Sequence, residues 1–328
     1  MRWIRASAAV ALTVFGVARA DTPPKPQAQT VAQGVWLIPG SFLPNRQPDG
    51  NTVIFAAPRG LIVMDTGRHV WQREAIEAFA VGQKKVIAAI VNSHWHLDHV
   101  SGNPDLKGAY PAAKVYASVA IKDALTGFLA KSAADAKLYL KSSKLPPETA
   151  EDIRNDMVTV GNGKLLLPDV VIADSRTRRI AGKPLAVNLA SNAATAGDVW
   201  VFDPVSGVAA VGDLVTLPAP FLDTACPAGW SRTLAKISAT PFRIVIPGHG
   251  APMTRSGFAT YRRAFDAFID CASSARDKDA CAAEWTANVA TLLGTDEKAQ
   301  KQAKRMAAYY VGDVLRKNGG KSADCKVG

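Results

Sequence analysis

Three histidines and an aspartate stand within six residues in the run His94-Trp95-His96-Leu97-Asp98-His99. Imidazole nitrogen and carboxylate oxygen are ligand types that suit zinc, and so many polar groups at the end of an apolar run are costly to bury without a shared cation. Alternate positions of an extended segment point the same way, so His94 and His96 can grip one ion, while Asp98 and His99, past a bend, face a second. Two more candidates follow apolar runs: Asp213 in Val211-Gly212-Asp213, and His249 in Ile246-Pro247-Gly248-His249-Gly250. Strand ends that feed one edge are where such a site assembles. The chemistry implied is hydrolysis, because metal binding lowers the pKa of water from about 15.7 to about 7, and two ions can hold that water while one polarises the substrate's oxygen. Trp95 reads as a packing residue.

The elements that must position these groups are legible as short apolar runs bounded by turn residues. Strands are expected at 31–38 (VAQGVWLI), 52–57 (TVIFAA), 60–65 (GLIVMD) and 86–91 (VIAAIV). Between the last two, Trp71, Ala75, Ile76, Phe79 and Ala80 recur at helical spacing over 71–81. Helical patterns over 118–159 are broken at Pro146-Pro147, and strands are expected again at 164–172, 184–189, 198–203, 207–211 and 243–246. A strand-rich set thus comes twice, as in a layered α/β domain. From Tyr261 onward the pattern is helical, with Phe265, Phe268 and Ile269 on one face. The Pro/Gly-rich stretch 217–230 is the longest connection without a period, and its Phe221, Leu222 and Trp230 are expected to form a substrate wall.

With these residues in place, the chain resembles the metallo-β-lactamase fold superfamily. The H-x-H-x-D-H signature is matched at 94–99, the strand-end aspartate at Asp213, the late histidine at Gly248-His249, and a characteristic D-T-G at 65–67. The resemblance covers roughly residues 30–255 and implies an αββα sandwich, here followed by a C-terminal helical appendage. It implies that His94 and His96 bind a first metal, that Asp98, His99 and His249 bind a second, and that Asp213 bridges the two, with Asp98 and Asp213 catalytic. An aspartate at 213 is more similar to the glyoxalase II and lactonase-like branches than to true β-lactamases. Asp65 is the candidate to orient a ligand histidine through its other ring nitrogen.

One expected ligand is absent. The family supplies a further first-site histidine just before a T-x-G-D turn, and Thr195-Ala196-Gly197-Asp198 follows no histidine. Asn192 could donate a side-chain oxygen, or a water could complete the shell; Ala194 holds the simplest aligned position. The expectation is one firmly bound zinc ion and a second, weaker one. His69 reads as a helix-start or supporting residue rather than a replacement ligand, and Asp198 as a turn residue.

Residues 1–20 read as a secretory signal, with Arg2 and Arg5, an apolar stretch from Ala6 to Val17, and Ala18-Arg19-Ala20 as the cleavage site. That stretch is shorter than the roughly 20 residues needed to span a bilayer, so a cleaved export signal is expected and no membrane span in the mature chain. Residues 21–29 read as a disordered lead, 30–255 as the main domain and 256–328 as the helical extension. Loss of Arg2, Arg5 and Arg19 takes the formal charge from +11 to +8. The Lys and Arg residues are scattered, with one cluster at Arg176, Arg178 and Arg179 in an expected turn, so nucleic acid is not the expected partner. A small-molecule substrate is.

Export to a periplasmic or extracellular space favours disulfides among the four cysteines. Cys271 and Cys281, on an expected helical hairpin, are the better pair; Cys226 and Cys325 form a second bridge or leave a free thiol. The leading expectation is a zinc-dependent hydrolase of a small ester, lactone, thioester or amide, β-lactams included. Two alternatives stand beside it: a non-catalytic binding protein with a degenerate first site, and an iron-dependent, sulfur dioxygenase-like enzyme.

Overall fold

The computed structural model describes residues 25–141 and 144–325. The expected leader at 1–20 and the start of the expected lead at 21–29 lie outside the described residues. Chain order begins β1 (Gln29–Ala32), β2 (Val35–Ile38), β3 (Thr52–Ala57), β4 (Gly60–Met64), α1 (Val70–Gly82), β5 (Ile87–Val91), α2 (Leu97–Val100), α3 (Asn103–Ala109) and β6 (Lys114–Ala117). Three helices follow, α4 (Ala120–Thr126), α5 (Phe128–Tyr139) and α6 (Pro147–Gly161), then β7 (Val170–Val171), β8 (Arg176–Ile180), β9 (Lys183–Ser191), β10 (Gly197–Asp203) and β11 (Val208–Thr216). The last part comprises α7 (Pro227–Ala239), β12 (Ile244–His249), β13 (Met253–Thr254), α8 (Arg255–Ser273), α9 (Lys278–Asn288), α10 (Ala290–Leu293) and α11 (Glu297–Tyr309).

Two sheets result: β1 to β7 in sequence order, and β13-β12-β11-β10-β9-β8. The period-2 alternation of strand side chains builds the layers. In β4, Ile62 and Met64 face the other sheet while Leu61 and Val63 face α1. In β10, Val199 and Val201 face the first sheet while Trp200 and Phe202 face outward, under the C-terminal helices. Both faces of the central strands are covered, which is why they read as unbroken apolar runs. The order is helix, sheet, sheet, helix: the αββα sandwich with its C-terminal helices.

Those helices share one core with the second sheet. Phe258, Tyr261, Phe265 and Phe268 form the apolar stripe of α8, and Trp285 of α9 is fully buried, its Nε1 donating to Pro218 O at 2.9 Å. The Cys271–Cys281 bridge joins α8 to α9, and Cys226–Cys325 ties the segment before α7 to the C-terminal end. None of the described helices is long and apolar enough to cross a membrane.

Several elements differ from expectation. The run 31–38 is two strands, because Gly34 takes a positive φ of 71° and reverses the chain. Residues 164–172 are a 3-10 turn at Gly163–Leu166 followed by the two-residue β7. Arg176, Arg178 and Arg179 lie in β8, an edge strand, rather than in a turn. The long connection ends earlier, since Pro227 opens α7 and Trp230 belongs to that helix. Gln29, placed in the lead by its composition, is already in β1.

Candidate metal centre

Two parallel strand pairs, β4 with β5 and β11 with β12, end at one edge of the sandwich. Carboxyl ends of parallel strands are where open α/β sheets place ligands. The segment after β5 carries His94 and then His96, which stands at the N-terminal end of the short α2 that carries Asp98 and His99. Asp213 lies inside β11 and His249 ends β12. All six are buried.

They fall into two groups, His94 with His96 and Asp213, and Asp98 with His99 and His249; within each group the possible ligand atoms lie within 4.8 Å of one another. Asp213 faces both. Its Oδ2 is 3.6 Å from His94 Nε2 and 4.0 Å from His96 Nδ1, while its Oδ1 is 3.2 Å from His99 Nε2 and 3.6 Å from His249 Nε2. Asp98 Oδ2 is 2.9 Å from His249 Nε2. Two glycines make room for this crowding. A Cβ on Gly248 would lie 2.0 Å from Asp213 Oδ1, and one on Gly50 would lie 2.3 Å from the His99 ring.

Neighbouring side chains fix which ring nitrogens face inward. Asp65, in the left-handed region at φ 63°, accepts from Ser93 N at 2.7 Å, Ser93 Oγ at 2.6 Å and His99 Nδ1 at 2.8 Å. With its proton on Asp65, Ser93 Oγ accepts from His94 Nδ1 at 2.8 Å, which leaves a lone pair on His94 Nε2. Among the described residues that buried nitrogen has no hydrogen-bond partner, and neither has Asp213 Oδ1. Buried polar atoms without partners are rare and point to an ion or water at the spot.

The electrostatics agree. Burial, reinforced by the imidazoles of His96 and His99, holds His94 well below the usual histidine range, and burial brings His96 down to about 4. Both therefore present lone pairs at neutral pH. Burial opposes a charge on His99 as well, but Asp213, Asp98 and Asp65 outweigh it and raise the ring well above its ordinary value. The cluster is thus a place built for positive charge, and its donor set of imidazole and carboxylate fits a divalent metal ion such as zinc.

Among the described residues no further His, Cys, Asp or Glu joins the first group, and the side chain that supports it is one the sequence does not announce. Asn192 turns the chain at φ 55°, its N–H donating to Ala196 O at 3.3 Å, and no hydrogen bond links its side chain to His94 or His96 among the described residues. Beside His96 stands Thr224. Its hydroxyl donates to Ala194 O at 2.9 Å, so at 3.1 Å it can only accept from His96 Nε2–H, leaving the His96 Nδ1 lone pair toward Asp213.

His69 belongs to neither group: it precedes α1, with Nδ1 2.7 Å from Asp49 and Nε2 3.2 Å from Asp152. Asp198 is a turn residue, accepting from Thr195 N at 2.9 Å and Thr195 Oγ1 at 3.0 Å, and burial pushes it up to about 7.

A cleft of about 290 Å³ opens over Asp98, Asp213, His96 and His249. Phe221 lines it, its ring centroid 4.9 Å from that of His96. Leu222 and Trp230, expected in the same wall, do not. Both are fully buried in the core beneath the C-terminal helices, and Trp230 Nε1 donates to Leu214 O at 2.9 Å. The wall is completed instead by Phe42, Trp95, Phe128, Leu129 and Met306. Arg68 also reaches the cleft, paired with Asp156 and 3.9 Å from Asp98.

Comparison with known proteins agrees with this geometry. The family model described as the metallo-beta-lactamase superfamily matches residues 46–249, well over half of the chain. An atrochrysone carboxyl ACP thioesterase from Aspergillus chevalieri is 34% identical over 99 residues, which cover 28% of this chain and 30% of that protein. The match thus spans less than a third of the relative's length. Among solved structures, a metallo-beta-lactamase from Pontibacter korlensis superposes with a TM-score of 0.51 at 18% identity, covering 71% of this chain and 95% of that one. The inverting sec-alkylsulfatase Pisa1 from Pseudomonas sp. does so with a TM-score of 0.58 at 19% identity, covering 87% of this chain and 50% of that one. At such identities the likeness is one of fold. On its family match, its fold and its clustered ligands, the chain belongs to the metallo-beta-lactamase superfamily.

Proposed function

We propose that the protein is a zinc-dependent hydrolase of a small ester, lactone, thioester or amide, exported from the cytoplasm. The observation that carries this reading is the shared carboxylate, Asp213, whose two oxygens face two separate sets of buried imidazoles. His94, His96 and Asp213 would hold one ion; Asp98, His99 and His249, with Asp213 between, would hold the other. A divalent ion there supplies activated water and polarises the carbonyl oxygen of the substrate.

The chain's own groups do the rest. Asp65 orients His99 directly and His94 through Ser93, and Thr224 sets the tautomer of His96. Asp98 and Asp213 are the carboxylates at the floor of the cleft, placed to hold the ions beneath the reacting centre. Thioester or ester cleavage is favoured because the wall of Phe42, Trp95, Phe128, Leu129, Phe221 and Met306 suits an acyl group and the matched relative is named as an ACP thioesterase. With three protein ligands and no third histidine, the first group binds its ion less firmly than the second. Two disulfides support an oxidising compartment such as the periplasm.

Removal of metal by a chelator should abolish turnover of an ester and thioester panel, and added zinc should restore it. Full activity of an Asp98→Ala, His249→Ala double variant would overturn the proposal.

A further inference from the structure

The cleft over the candidate metal centre shares part of its wall with a neighbour. A second hollow of about 390 Å³ adjoins it, and Phe42, Leu217, Pro218 and His249 line both. These four therefore form a partition with His249 at its foot, and the ring of Phe42 stands 5.2 Å from the His249 ring while remaining 47% exposed. The second hollow is walled by Leu37, Pro39, Pro252, Leu292 and Leu293. Leu292 and Leu293 come from α10, so the C-terminal helices supply one of its sides.

Charge separates the two hollows from sites built for anions. No Lys, Arg, Asp or Glu lines the second hollow among the described residues. In the first, Arg68 is the one Lys or Arg among the described residues, and it is already paired with Asp156, donates Nε–H to Pro48 O at 3.1 Å and lies 3.9 Å from Asp98. Away from the candidate metal positions, an anionic group on a substrate would meet no free Lys or Arg in either hollow among the described residues, and Asp156 stands in the first. Apolar groups on both sides of the reacting carbonyl would instead be buried at a gain.

We infer that the substrate is a neutral ester or thioester carrying an apolar group on each side of the scissile bond, one arm in each hollow, with the carbonyl at the partition. This rests on the hydrolase reading above and narrows its substrate class. Hydrolysis of such a compound breaks the acyl C–O or C–S bond, forms a C–O bond from water, and passes a proton to the leaving oxygen or sulfur. One acid and one alcohol or thiol result.

The test is a set of zinc-loaded assays with alkyl alkanoate esters and thioesters whose acyl and alcohol or thiol chains are lengthened independently from two to six carbons. Each added methylene on either arm should raise kcat/KM about three- to fourfold until its hollow is filled, the fold-change that about 0.8 kcal/mol per buried CH2 gives at about 1.36 kcal/mol per tenfold. Leu293→Glu should flatten that dependence for one arm only. An ester with a terminal carboxylate on either arm should be turned over at least tenfold more slowly than its neutral equivalent. A direct binding readout accompanies these: calorimetry with the matching dialkyl ketone, which cannot be hydrolysed, should show tighter binding with length on both arms. A flat dependence on one arm in both assays, or preference for the anionic ester, would overturn the two-armed neutral substrate. Absence of hydrolysis across the whole set, with length-dependent ketone binding retained, would overturn the reading as an ester or thioester hydrolase and leave the shape of the binding site as inferred.

Discussion

Replacing Thr224 with valine removes one hydroxyl and leaves the volume of the side chain almost unchanged, so no cavity of consequence forms. Two buried groups lose their partner, His96 Nε2–H and Ala194 O, which stand 3.1 Å and 2.9 Å from the Thr224 hydroxyl. An unsatisfied buried group costs about 1–3 kcal/mol. His96 can relieve its share by moving the proton to Nδ1, but that is the nitrogen facing Asp213, so the lone pair turned toward the first metal position is lost. Metal binding there must then reverse the tautomer and leave Nε2–H bare. Loss of a group that orients a ligand weakens metal affinity about 10- to 100-fold, or roughly 1.4–2.7 kcal/mol. The second group, Asp98, His99 and His249, has no contact with Thr224 among the described hydrogen bonds and should be untouched. Competition with a chromophoric chelator, resolved into two Kd values, measures this. The expected result is a 10- to 100-fold rise in the weaker Kd, a tighter Kd constant within about threefold, and recovery in Thr224→Ser. Equal weakening of both Kd values, or no change in either, would refute the tautomer assignment.

Trp230→Ala should behave as a core deletion, losing about 3–5 kcal/mol in a denaturant titration; a stable variant with only an altered KM would return Trp230 to the substrate wall. Cys226→Ala with Cys325→Ala opens a link between residues 99 apart, and a loss of about 2–5 kcal/mol is expected by the same measurement, with a stability equal to the parent's contradicting the tie. His69 contributes with a definite sign. Burial opposes its charge, but hydrogen bonds to Asp152 and Asp49 outweigh it and raise the ring above its ordinary 6.5. Its contribution is therefore complete below that value and is lost as pH rises through the raised pKa, while that of Asp152, held below its ordinary 3.8 chiefly by His69 against the effect of burial, is lost on acidification. The stability gap between the parent and His69→Gln should accordingly be larger at pH 5 than at pH 8.5, and a gap independent of pH would contradict the pairing.

Much of the site is legible in the sequence because its ligands sit where apolar strand runs stop. His94 to His99 follow β5, Asp213 lies toward the end of β11, and His249 ends β12, so strand period and ligand type point to the same residues. What escapes is direction and long-range contact. Leu222 and Trp230 are apolar residues of a Pro- and Gly-rich stretch, and only the C-terminal helices, folded back over the second sheet, decide that both point inward. Thr224 carries no local signal, since it meets His96 from 128 residues away. Arginines in β8 read as a turn because an edge strand tolerates charge that a central strand does not. Phe42 and the leucines of α10 gain meaning only when the two hollows are seen to meet at His249.

The most direct measurement is metal content per chain, by mass spectrometry of the protein equilibrated with buffered zinc over a range of free concentrations. Two equivalents bound in two separate steps are expected, with His94→Ala, His96→Ala removing the weaker step and Asp98→Ala, His249→Ala the tighter. No bound metal under zinc-replete conditions, or loss of the tighter step in the His94, His96 variant, would contradict an unequal two-metal centre joined by Asp213.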